Sequence, residues 1–346
     1  EKCVACGECV ENCPTNALRL GQKICSSKPI PEEKTVKTPR DHRWGPEDWN
    51  PDYRTNRQVV VKTGTSPCKA NCPAHIGVQG YIKLAAQGKY REALELIKLE
   101  NPFPAVCGHV CPRYCEQGCS RLGLDEAVAV DDIKKFIAEQ DLNSEHRYVP
   151  KKKRDYHDKK IAIIGGGPAG LSCAYYLAID NYDVTVFEKE KSLGGMLKFG
   201  IPSFRLEKNV LDSEIDVLKE LGVNFKTGVE VGKDVSLDEL RAQGFKAFYL
   251  AIGAQKGRLL GIEGEDAAGV ITGVDFLREE NLNESKSLSG KVIVIGGGNV
   301  AIDVARMAVR AGGEEVSMFC LEKREEMPAL PEEIHEAEEE GIKITN

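Results

Sequence analysis

The chain has 346 residues, of which 41% are hydrophobic and 29% are charged, and its formal net charge at pH 7 is −7. This length predicts two or three domains, and the negative charge argues against a nucleic-acid-binding protein, which usually carries a dominant basic surface. We expect no membrane span, because no apolar run reaches roughly 18 residues, and we expect no signal peptide ahead of Cys3.

The first feature along the chain is a run of four cysteines followed by Pro14, with the spacing C-x2-C-x2-C-x3-C-P. The four are Cys3, Cys6, Cys9 and Cys13. This is the spacing of bacterial ferredoxins, so residues 1–25 are predicted to form a ferredoxin-like 4Fe–4S segment, incomplete because no second run follows. Residues 26–62 show little periodicity and are predicted to be a connector. Cys25 could be a ligand or a free thiol.

A second group of cysteines lies in residues 63–145, where the apolar periodicity predicts short helices. The group comprises Cys68, Cys72, Cys107, Cys111, Cys115 and Cys119. Their clustered spacing predicts metal sites in a reducing cytoplasm rather than disulfides. Zinc also accepts four thiolates and stays open as an alternative. We favour 4Fe–4S clusters, at least two in the chain as a whole, because zinc would add nothing to a chain with two dinucleotide sites.

From residue 155 onward, strands and helices are predicted to alternate. The predicted strands span 161–164, 184–187, 292–295 and 316–319, with a helix after the first at 171–178. The order strand, glycine turn, helix, strand occurs twice, which predicts two Rossmann-like units with parallel sheets. We assign residues 155–257 to the first nucleotide-binding domain and residues 258–346 to the second, both of them incomplete.

The first glycine turn has the pattern G-x-G-x-x-G. It comprises Gly165, Gly166, Gly167, Pro168, Ala169 and Gly170. In such a turn the first glycine permits the tight bend, the second lets the backbone approach a pyrophosphate, and the third lets the helix pack on the strand. Glu188 ends the following strand, where an acid binds the hydroxyl pair of a ribose.

The second glycine turn has the pattern G-x-G-x-x-A. It comprises Gly296, Gly297, Gly298, Asn299, Val300 and Ala301. Glu322 lies near the end of the next strand, where an acid favours a free 2′-hydroxyl over a 2′-phosphate and therefore NAD over NADP. Arg324 is close enough in sequence to oppose that preference, and a solvated surface acid is the alternative for Glu322.

These motifs, taken with the stretches around them, resemble the family of the small subunit of bacterial glutamate synthase and the N-terminal half of dihydropyrimidine dehydrogenase. The resemblance covers about residues 62–346 and implies FAD at the first turn, a nicotinamide nucleotide at the second, and 4Fe–4S clusters in the helical domain. The matching stretches are CKANCP at 68–73, CGHVCP at 107–112, CEQGC at 115–119, GGGPAG at 165–170, GGMLKFGIPSFR at 194–205, AIGA at 251–254, GGGNVAID at 296–303 and EEMPA at 325–329.

The resemblance also implies further site residues. Those expected at the two nucleotide sites are Lys189, Gly195, Arg205, Gly253, Asp303 and Arg324. By position, Cys72, Cys111 and Cys115 match the ligands of one family cluster. Cys68 and Cys119 match ligands of the other, and Cys107 fills a gap in the ligand set.

Three departures from the family pattern affect the expectations. The family usually carries a C-x2-C just before Cys68, and residues 59–66 have no cysteine. Members that bind NADP tend to carry an arginine pair where Leu321 and Glu322 stand, which again favours NAD. The family's later glycine-rich segment is missing after Asn346, so both ends are expected to be cuts from a larger polypeptide.

Our main functional hypothesis is an NAD(P)H-dependent FAD and iron–sulfur electron-transfer module, cytoplasmic and part of a hetero-oligomeric complex with other redox subunits or ferredoxin. The alternative is a non-catalytic relay or docking subunit with a vestigial nucleotide site. A disulfide reductase would share the two-nucleotide architecture, but it needs a redox-active cysteine pair, and none follows residue 119. The glutamate-rich helix near residues 332–340 is expected to present an exposed face.

Overall fold

The computed structural model describes residues 65–257, 259–282 and 288–346. The predicted ferredoxin-like segment, with Cys3, Cys6, Cys9 and Cys13, lies outside the described residues, as does the connector. The described residues fall into two compact units. The first holds residues 65–104 and 113–140, and the second holds residues 105–112 and 141–346.

Short helices dominate the described chain ahead of the first strand. They are α1 (Pro67–Asn71), α2 (Val78–Ala85), α3 (Tyr90–Lys98), α4 (Pro104–Val110), α5 (Tyr114–Gln117) and α6 (Val130–Leu142). In the first unit, α2 and α3 pack together across a turn at Gly88, whose φ of 73° favours glycine. Tyr81, Ile97 and Ile137 are buried in this unit. The Tyr81 hydroxyl donates a 3.0 Å hydrogen bond to the carbonyl of Val130.

The first sheet of the second unit has four parallel strands in the order β3-β2-β1-β4. These are β1 (His157–Ile164), β2 (Tyr182–Glu188), β3 (Asn224–Thr227) and β4 (Phe245–Leu250), and the helices between them are α7 (Pro168–Ile179), α8 (Met196–Phe199), α9 (Lys208–Glu220) and α10 (Leu237–Ala242). The buried apolar side chains of β1 and β2 face those of α7. Because parallel strands need helical crossovers, this strand order follows from the alternation seen in the sequence.

The second sheet has three parallel strands in the order β5-β6-β7. These are β5 (Lys291–Ile295), β6 (Glu315–Phe319) and β7 (Lys343–Thr345), and the helices of this half are α11 (Gly273–Asn281), α12 (Asn299–Arg310) and α13 (Pro331–Glu339). Val294, Ile302, Met318 and Ile334 are buried in its core. The second unit therefore contains two halves, one around each sheet, which correspond to the two predicted nucleotide-binding regions.

The two halves begin in the same way. The N–H of Gly165 donates to the carbonyl of Phe187 at 2.8 Å, and the N–H of Gly296 donates to the carbonyl of Phe319 at 2.9 Å. In each half the glycine turn after the first strand is therefore fixed to the end of the second strand. The predicted fold class is confirmed: α/β with two Rossmann-like units, preceded by a helical region.

Helix α4 is counted with the second unit because it is joined to α9. The N–H of Ala105, in the first turn of α4, donates a 2.9 Å hydrogen bond to Oε1 of Glu214 on α9. Glu214 is 1% exposed. A carboxylate in this place satisfies an N–H that has no partner within the helix and lies near the positive end of the helix dipole.

Element bounds differ from the predicted ones by one to four residues, and the largest difference has a clear physical reason. Strand β1 starts at His157 rather than at residue 161, because residues 158–160 are exposed and polar and lack the apolar signal of a buried strand. The expectation of an exposed face for the glutamate-rich helix is wrong for Glu333, which is 8% exposed. Within the described ranges, no helix is long and apolar enough to cross a membrane.

Candidate functional site

The three motif glycines of the first turn, Gly165, Gly167 and Gly170, have three different environments. Gly165 has a φ of 109°, which an L side chain rarely adopts. A Cβ on Gly170 would lie 2.0 Å from the carbonyl oxygen of Gly165, so this glycine is needed for the helix to pack on the turn. A Cβ on Gly167 would meet only the Cα of Gly195, at 3.8 Å. The open space is therefore over Gly167, where a pyrophosphate would approach the N-terminus of α7.

Two other predicted segments converge on the first turn. The N–H of Gly194 donates to the carbonyl of Gly166 at 2.8 Å, and a Cβ on Gly195 would lie 2.8 Å from the Cα of Gly167. The segment after β4 passes the other side, since a Cβ on Gly165 would lie 2.2 Å from the carbonyl oxygen of Ala251. Gly253, two residues further on, has a φ of 72° and no neighbour within 4 Å of a built Cβ.

Glu188 closes the first site at the end of β2. It is 5% exposed, and each of its carboxylate oxygens accepts one hydrogen bond from the backbone. The N–H of Gly166 donates to Oε2 at 2.6 Å, and the N–H of Glu190 donates to Oε1 at 2.9 Å. Each oxygen keeps a second acceptor position, which is what the hydroxyl pair of a ribose requires. The residues of the first turn therefore fit the adenosine diphosphate part of FAD.

A cavity of about 390 Å³ lies next to this acid, between the two nucleotide-binding halves. Its lining residues are Lys189, Glu190, Met196, Phe199, Gln255, Lys256, Val274, Asp275 and Arg278. Arg278 lies over the ring of Phe199 at 5.0 Å and pairs with Glu190 at 2.7 Å, so a cation from α11 joins two residues of the first half. Lys189 is thus placed on a cavity wall beside Glu188.

The second turn repeats the motif of the first, with alanine in place of the third motif glycine. Gly296 has a φ of 136°, and a Cβ on it would lie 3.4 Å from the Cβ of Ala301, the residue at the third position of the motif. A Cβ on Gly298 would have no neighbour within 4 Å. Gly298 precedes α12, so open space again lies at a helix N-terminus. Val300, in the first turn of α12, is 56% exposed. These residues fit the pyrophosphate of a second dinucleotide.

The loop ahead of α13 is hydrogen-bonded to the second turn. The N–H of Ala329 donates to the carbonyl of Gly297 at 3.1 Å, and the N–H of Leu330 donates to Oδ1 of Asn299 at 3.0 Å. The side chain of Asn299 is therefore engaged with the protein. Its predicted role at the nucleotide site rests on its backbone position at the start of α12.

Glu322 lies over the second turn much as Glu188 lies over the first. A Cβ on Gly297 would be 3.0 Å from Oε2 of Glu322, while a Cβ on Gly166 would be 3.2 Å from Oε2 of Glu188. Arg324 is directed elsewhere: its Nη2 pairs with Glu338 Oε2 at 2.6 Å, and it lines a separate cavity of about 220 Å³.

Arg205 and Asp303 lie on opposite halves and bind each other. Arg205 Nη1 is 2.7 Å from Oδ2 of Asp303 on α12, and its Nη2 is 2.5 Å from Oε1 of Glu333 on α13. Burial raises the pKa of both carboxyls, and the charge of Arg205 opposes that rise. We call Arg205, Asp303 and Glu333 the Arg205 cluster. Sequence reasoning missed Glu333, although its spacing of four residues from the buried Ala337 placed it on the inner face of α13.

Three of the predicted cysteine ligands gather around one side chain in the first unit. Helix α1, with Cys68 and then Cys72 at its end, packs against α5, which carries Cys115. Burial raises the pKa of the Tyr81 phenol, and Cys115, Asp131, Cys72 and Cys68 raise it further through their charges. Asp131 forms a buried ion pair with Lys134.

The remaining predicted ligands are spread over both units. Cys119 directly follows α5 in the first unit, while Cys107 lies on α4 and Cys111 just after it in the second. No three Cys, His, Asp or Glu side chains of the described ranges converge on the geometry of a single metal ion. A four-iron cluster binds one thiolate at each iron and so spaces its ligands more widely than one ion does. The thiol-rich donor set fits such a cluster better than zinc.

Comparison with known proteins identifies the class. The profile of the family described as pyridine nucleotide-disulphide oxidoreductase matches residues 159–345. The profile of dihydroprymidine dehydrogenase domain II, 4Fe-4S cluster, matches residues 55–146, and that of a 4Fe-4S binding domain matches residues 1–19. The chain belongs to the pyridine nucleotide-disulphide oxidoreductase family and carries 4Fe–4S binding domains ahead of its nucleotide-binding region.

Particular relatives confirm the resemblance found in the sequence. The chain is 40% identical over 285 residues to NADPH-Fe(3+) oxidoreductase subunit beta of Geobacter sulfurreducens, covering 81% of this chain and 42% of that protein. It is 36% identical over 297 residues to the glutamate synthase [NADPH] small chain of Escherichia coli, covering 82% and 62%. FprA of Mycobacterium tuberculosis in complex with NADPH aligns with a TM-score of 0.47 and 26% identity, covering 53% of this chain and 48% of that one. The chain thus spans between two fifths and two thirds of these two relatives' lengths.

Proposed function

We propose that this chain is an NAD(P)H-dependent flavin and iron–sulfur oxidoreductase module, which passes electrons between a nicotinamide nucleotide and the 4Fe–4S clusters of a larger redox complex. The observation that carries the proposal is the repeated site geometry. Each half of the second unit presents a glycine with open space at a helix N-terminus, Gly167 in one half and Gly298 in the other. In each half a carboxylate lies over the middle of the turn.

Each half would bind one of the two nucleotides. Gly165, Gly167, Gly170 and Glu188 would hold FAD, and Gly296, Gly298 and Ala301 would hold the nicotinamide nucleotide. A bound flavin supplies the chemistry that converts a hydride into single electrons. The protein residues orient the two nucleotides and keep their diphosphates at the positive ends of α7 and α12.

We further propose that the second site prefers NAD(H) to NADP(H). The carboxylate of Glu322 lies where a 2′-phosphate would bring a second negative charge, and Arg324 is paired with Glu338. The names of the two relatives above contain NADPH, so this preference would distinguish the chain from them. The comparison to make is kcat/KM for NADH and NADPH in the wild type, in Glu322→Gln, and in Glu325→Gln as an exposed neighbouring control.

We expect Glu322→Gln to lower the ratio of NADH to NADPH efficiency about tenfold, which corresponds to about 1.4 kcal/mol. The Glu325→Gln control should leave the ratio within about twofold of the wild type. A wild-type enzyme that uses NADPH better, or a ratio that Glu322→Gln does not change, would contradict the proposed preference.

We propose that the clusters are held by cysteines of the helical region and by cysteines of the N-terminal segment that lies outside the described residues. Cys68, Cys72 and Cys115 supply ligands near Tyr81. We propose that Cys107, Cys111 and Cys119 are further cluster ligands, and that Cys3, Cys6, Cys9 and Cys13 bind a separate cluster. Thiolate ligands of this kind persist in a reducing compartment, which supports a cytoplasmic location. Other redox subunits or a ferredoxin are the proposed partners, because the Geobacter sulfurreducens relative is named as a subunit.

The electron path can be tested by separating its two stages. A small one-electron dye takes electrons directly from a flavin, whereas a ferredoxin partner needs the clusters. We expect Cys115→Ser to keep nucleotide-driven dye reduction and to lose most ferredoxin reduction. If neither acceptor is reduced by wild-type protein that holds flavin and clusters, the proposed function fails.

A further inference from the structure

The contacts between the two nucleotide-binding halves converge on one buried arginine. The Arg205 side chain is 16% exposed, and it binds two carboxylates whose side chains are 8% exposed for Asp303 and 10% for Glu333. These partners are 98 and 128 residues away along the chain. The guanidinium presents its donors in a fixed fork, so one side chain can hold two acids in a defined relative position.

Each member of the Arg205 cluster is joined to a glycine turn. Arg205 lies at the end of the segment that starts at Gly195, which packs on Gly167 of the first turn. Asp303 lies on α12, whose first turn would face the second dinucleotide. Glu333 lies in the first turn of α13, which follows the Ala329–Leu330 backbone that donates hydrogen bonds to the second turn. The cluster therefore connects segments that belong to the two proposed diphosphate sites.

Within the described residues, Arg205 is the one side chain that hydrogen-bonds to the carboxylates of Asp303 and Glu333. Oδ1 of Asp303 and Oε2 of Glu333 are buried without a hydrogen-bond partner there. Arg306 influences both acids through its charge, but its guanidinium binds Glu336 and Glu340 instead. Other contacts between the halves lie outside the Arg205 cluster. They include the Asn281 amide on the Phe199 carbonyl, the Arg278–Glu190 pair, and Arg306 and Arg310 over the ring of Phe204.

We infer that Arg205 is a positioning residue, which fixes the second dinucleotide-binding turn relative to the first without touching either nucleotide. Its consequence for catalysis rests on the proposed function. Hydride transfer requires the donor and acceptor atoms at near-contact distance, and a displacement of about 1 Å can cost about 100-fold in rate. Nucleotide binding needs only the local geometry of the second turn. Loss of the Arg205 ion pairs should therefore lower the rate of flavin reduction while it leaves the affinity for the nucleotide nearly unchanged.

The test uses the full-length protein with its flavin bound and three variants. Arg205→Gln removes the charge and one of the two bonds, while Arg205→Lys keeps a charge that can bind one acid but not both. Arg147→Gln is the matched control, because Arg147 is similarly buried, at 18% side-chain exposure, and binds Asp141 and the Ser213 carbonyl within the first half. Flavin content, the dissociation constant for the nucleotide and the rate of flavin reduction at saturating nucleotide are measured for each.

We expect Arg205→Gln to lower the saturating rate by about 10- to 100-fold while the dissociation constant stays within about threefold and flavin content is unchanged. Arg205→Lys should recover part of the rate, and Arg147→Gln should match the wild type. An Arg205→Gln variant with the wild-type rate overturns the inference. So does a variant whose loss is entirely in nucleotide affinity, because that result would make Arg205 a binding residue.

A second readout does not depend on turnover. Hydrogen–deuterium exchange on the same proteins should rise in Arg205→Gln within residues 200–206, 299–303 and 330–334, and stay unchanged within residues 165–171. Unchanged exchange in the first three segments overturns the inference. If wild-type protein is reduced by neither nucleotide, the proposed function fails, and the exchange measurement still decides the positioning role.

Discussion

The backbone N–H of Gly166 donates a 2.6 Å hydrogen bond to the carboxylate of Glu188, so the acid at the end of β2 holds the glycine turn that follows β1. The second half approximates this arrangement, with Glu322 Oε2 3.0 Å from a Cβ built on Gly297. Glu188 and Glu322 occupy equivalent positions in the two halves, and this equivalence is the structural basis for assigning both turns to dinucleotides.

The open space over Gly167 and the crowding at Gly170 predict opposite effects of substitution. Gly167→Val should keep the fold, since Gly167 has an extended backbone with a φ of −80°, but its side chain would occupy the pyrophosphate site and abolish flavin retention. Gly170→Ala should destabilise the first half by about 1–3 kcal/mol or more, because its Cβ would lie 2.0 Å from the Gly165 carbonyl oxygen. Thermal unfolding and flavin absorbance after gel filtration measure the two effects. Equal unfolding midpoints for the two variants would contradict this assignment.

Gly298 provides the corresponding test of the second site. Gly298→Val should leave flavin content and the unfolding midpoint near wild type, because no atom lies within 4 Å of the added Cβ and the φ of −95° suits any residue. Nucleotide affinity should fall at least about tenfold, since the backbone could no longer approach the diphosphate. Titration by fluorescence or calorimetry measures that affinity. A variant that binds nucleotide as the wild type does would place the second site elsewhere.

The Arg205 cluster predicts a pH-dependent effect on stability. Burial raises the pKa of Asp303 and of Glu333, so the folded state holds more protons than the unfolded state between the ordinary and the raised pKa. This contribution to the free energy of unfolding is greatest at low pH and is lost as pH rises through the raised values. Arg205 opposes the rise in both pKa values most strongly, while Arg306 acts on both acids and Lys208 on Asp303. Arg205→Gln removes the strongest of these cations, which should raise both pKa values further.

The decrease in the free energy of unfolding caused by Arg205→Gln should therefore grow as pH rises. We expect about 3–5 kcal/mol near pH 8, the usual cost of leaving a buried charge unpaired, and a smaller deficit near pH 5. Chemical denaturation across this range measures it, with Arg147→Gln as the control. A deficit that is constant from pH 5 to pH 8 would contradict the titration of the buried acids.

Substitution of Cys115 should cause a loss of iron, whereas substitution of Cys173 should not. Cys115→Ser should lower the iron and sulfide content by about one cluster, because the thiol is buried beside Tyr81 together with Cys68 and Cys72. Cys173→Ser is the control, since Cys173 lies on α7 of the second unit, after the first glycine turn. Equal iron content in the two variants would remove Cys115 from the ligand set.

Local patterns predicted much of this fold, and long-range pairing set the rest. The glycine turns, the strand alternation and Glu188 follow from short motifs whose geometry is nearly context-free. Arg205 stood in a matching stretch, but its partners lie far along the chain, so its binding to Asp303 and Glu333 could not be read from spacing. Glu333 is one of five glutamates in α13, so its burial was not evident, although its i,i+4 relation to Ala337 marked the buried face. The polar start of β1 gave no apolar signal.

The central claim is that a nicotinamide nucleotide reduces the clusters of this protein through its flavin. The most direct measurement is anaerobic titration of the complete polypeptide with NADH and, separately, with NADPH, following flavin absorbance and the paramagnetic signal of reduced clusters. We predict bleaching of the flavin and appearance of the cluster signal with NADH at low equivalents, and with NADPH only weakly. Protein that carries flavin and clusters and is reduced by neither nucleotide would contradict the account and favour a relay subunit with a vestigial nucleotide site.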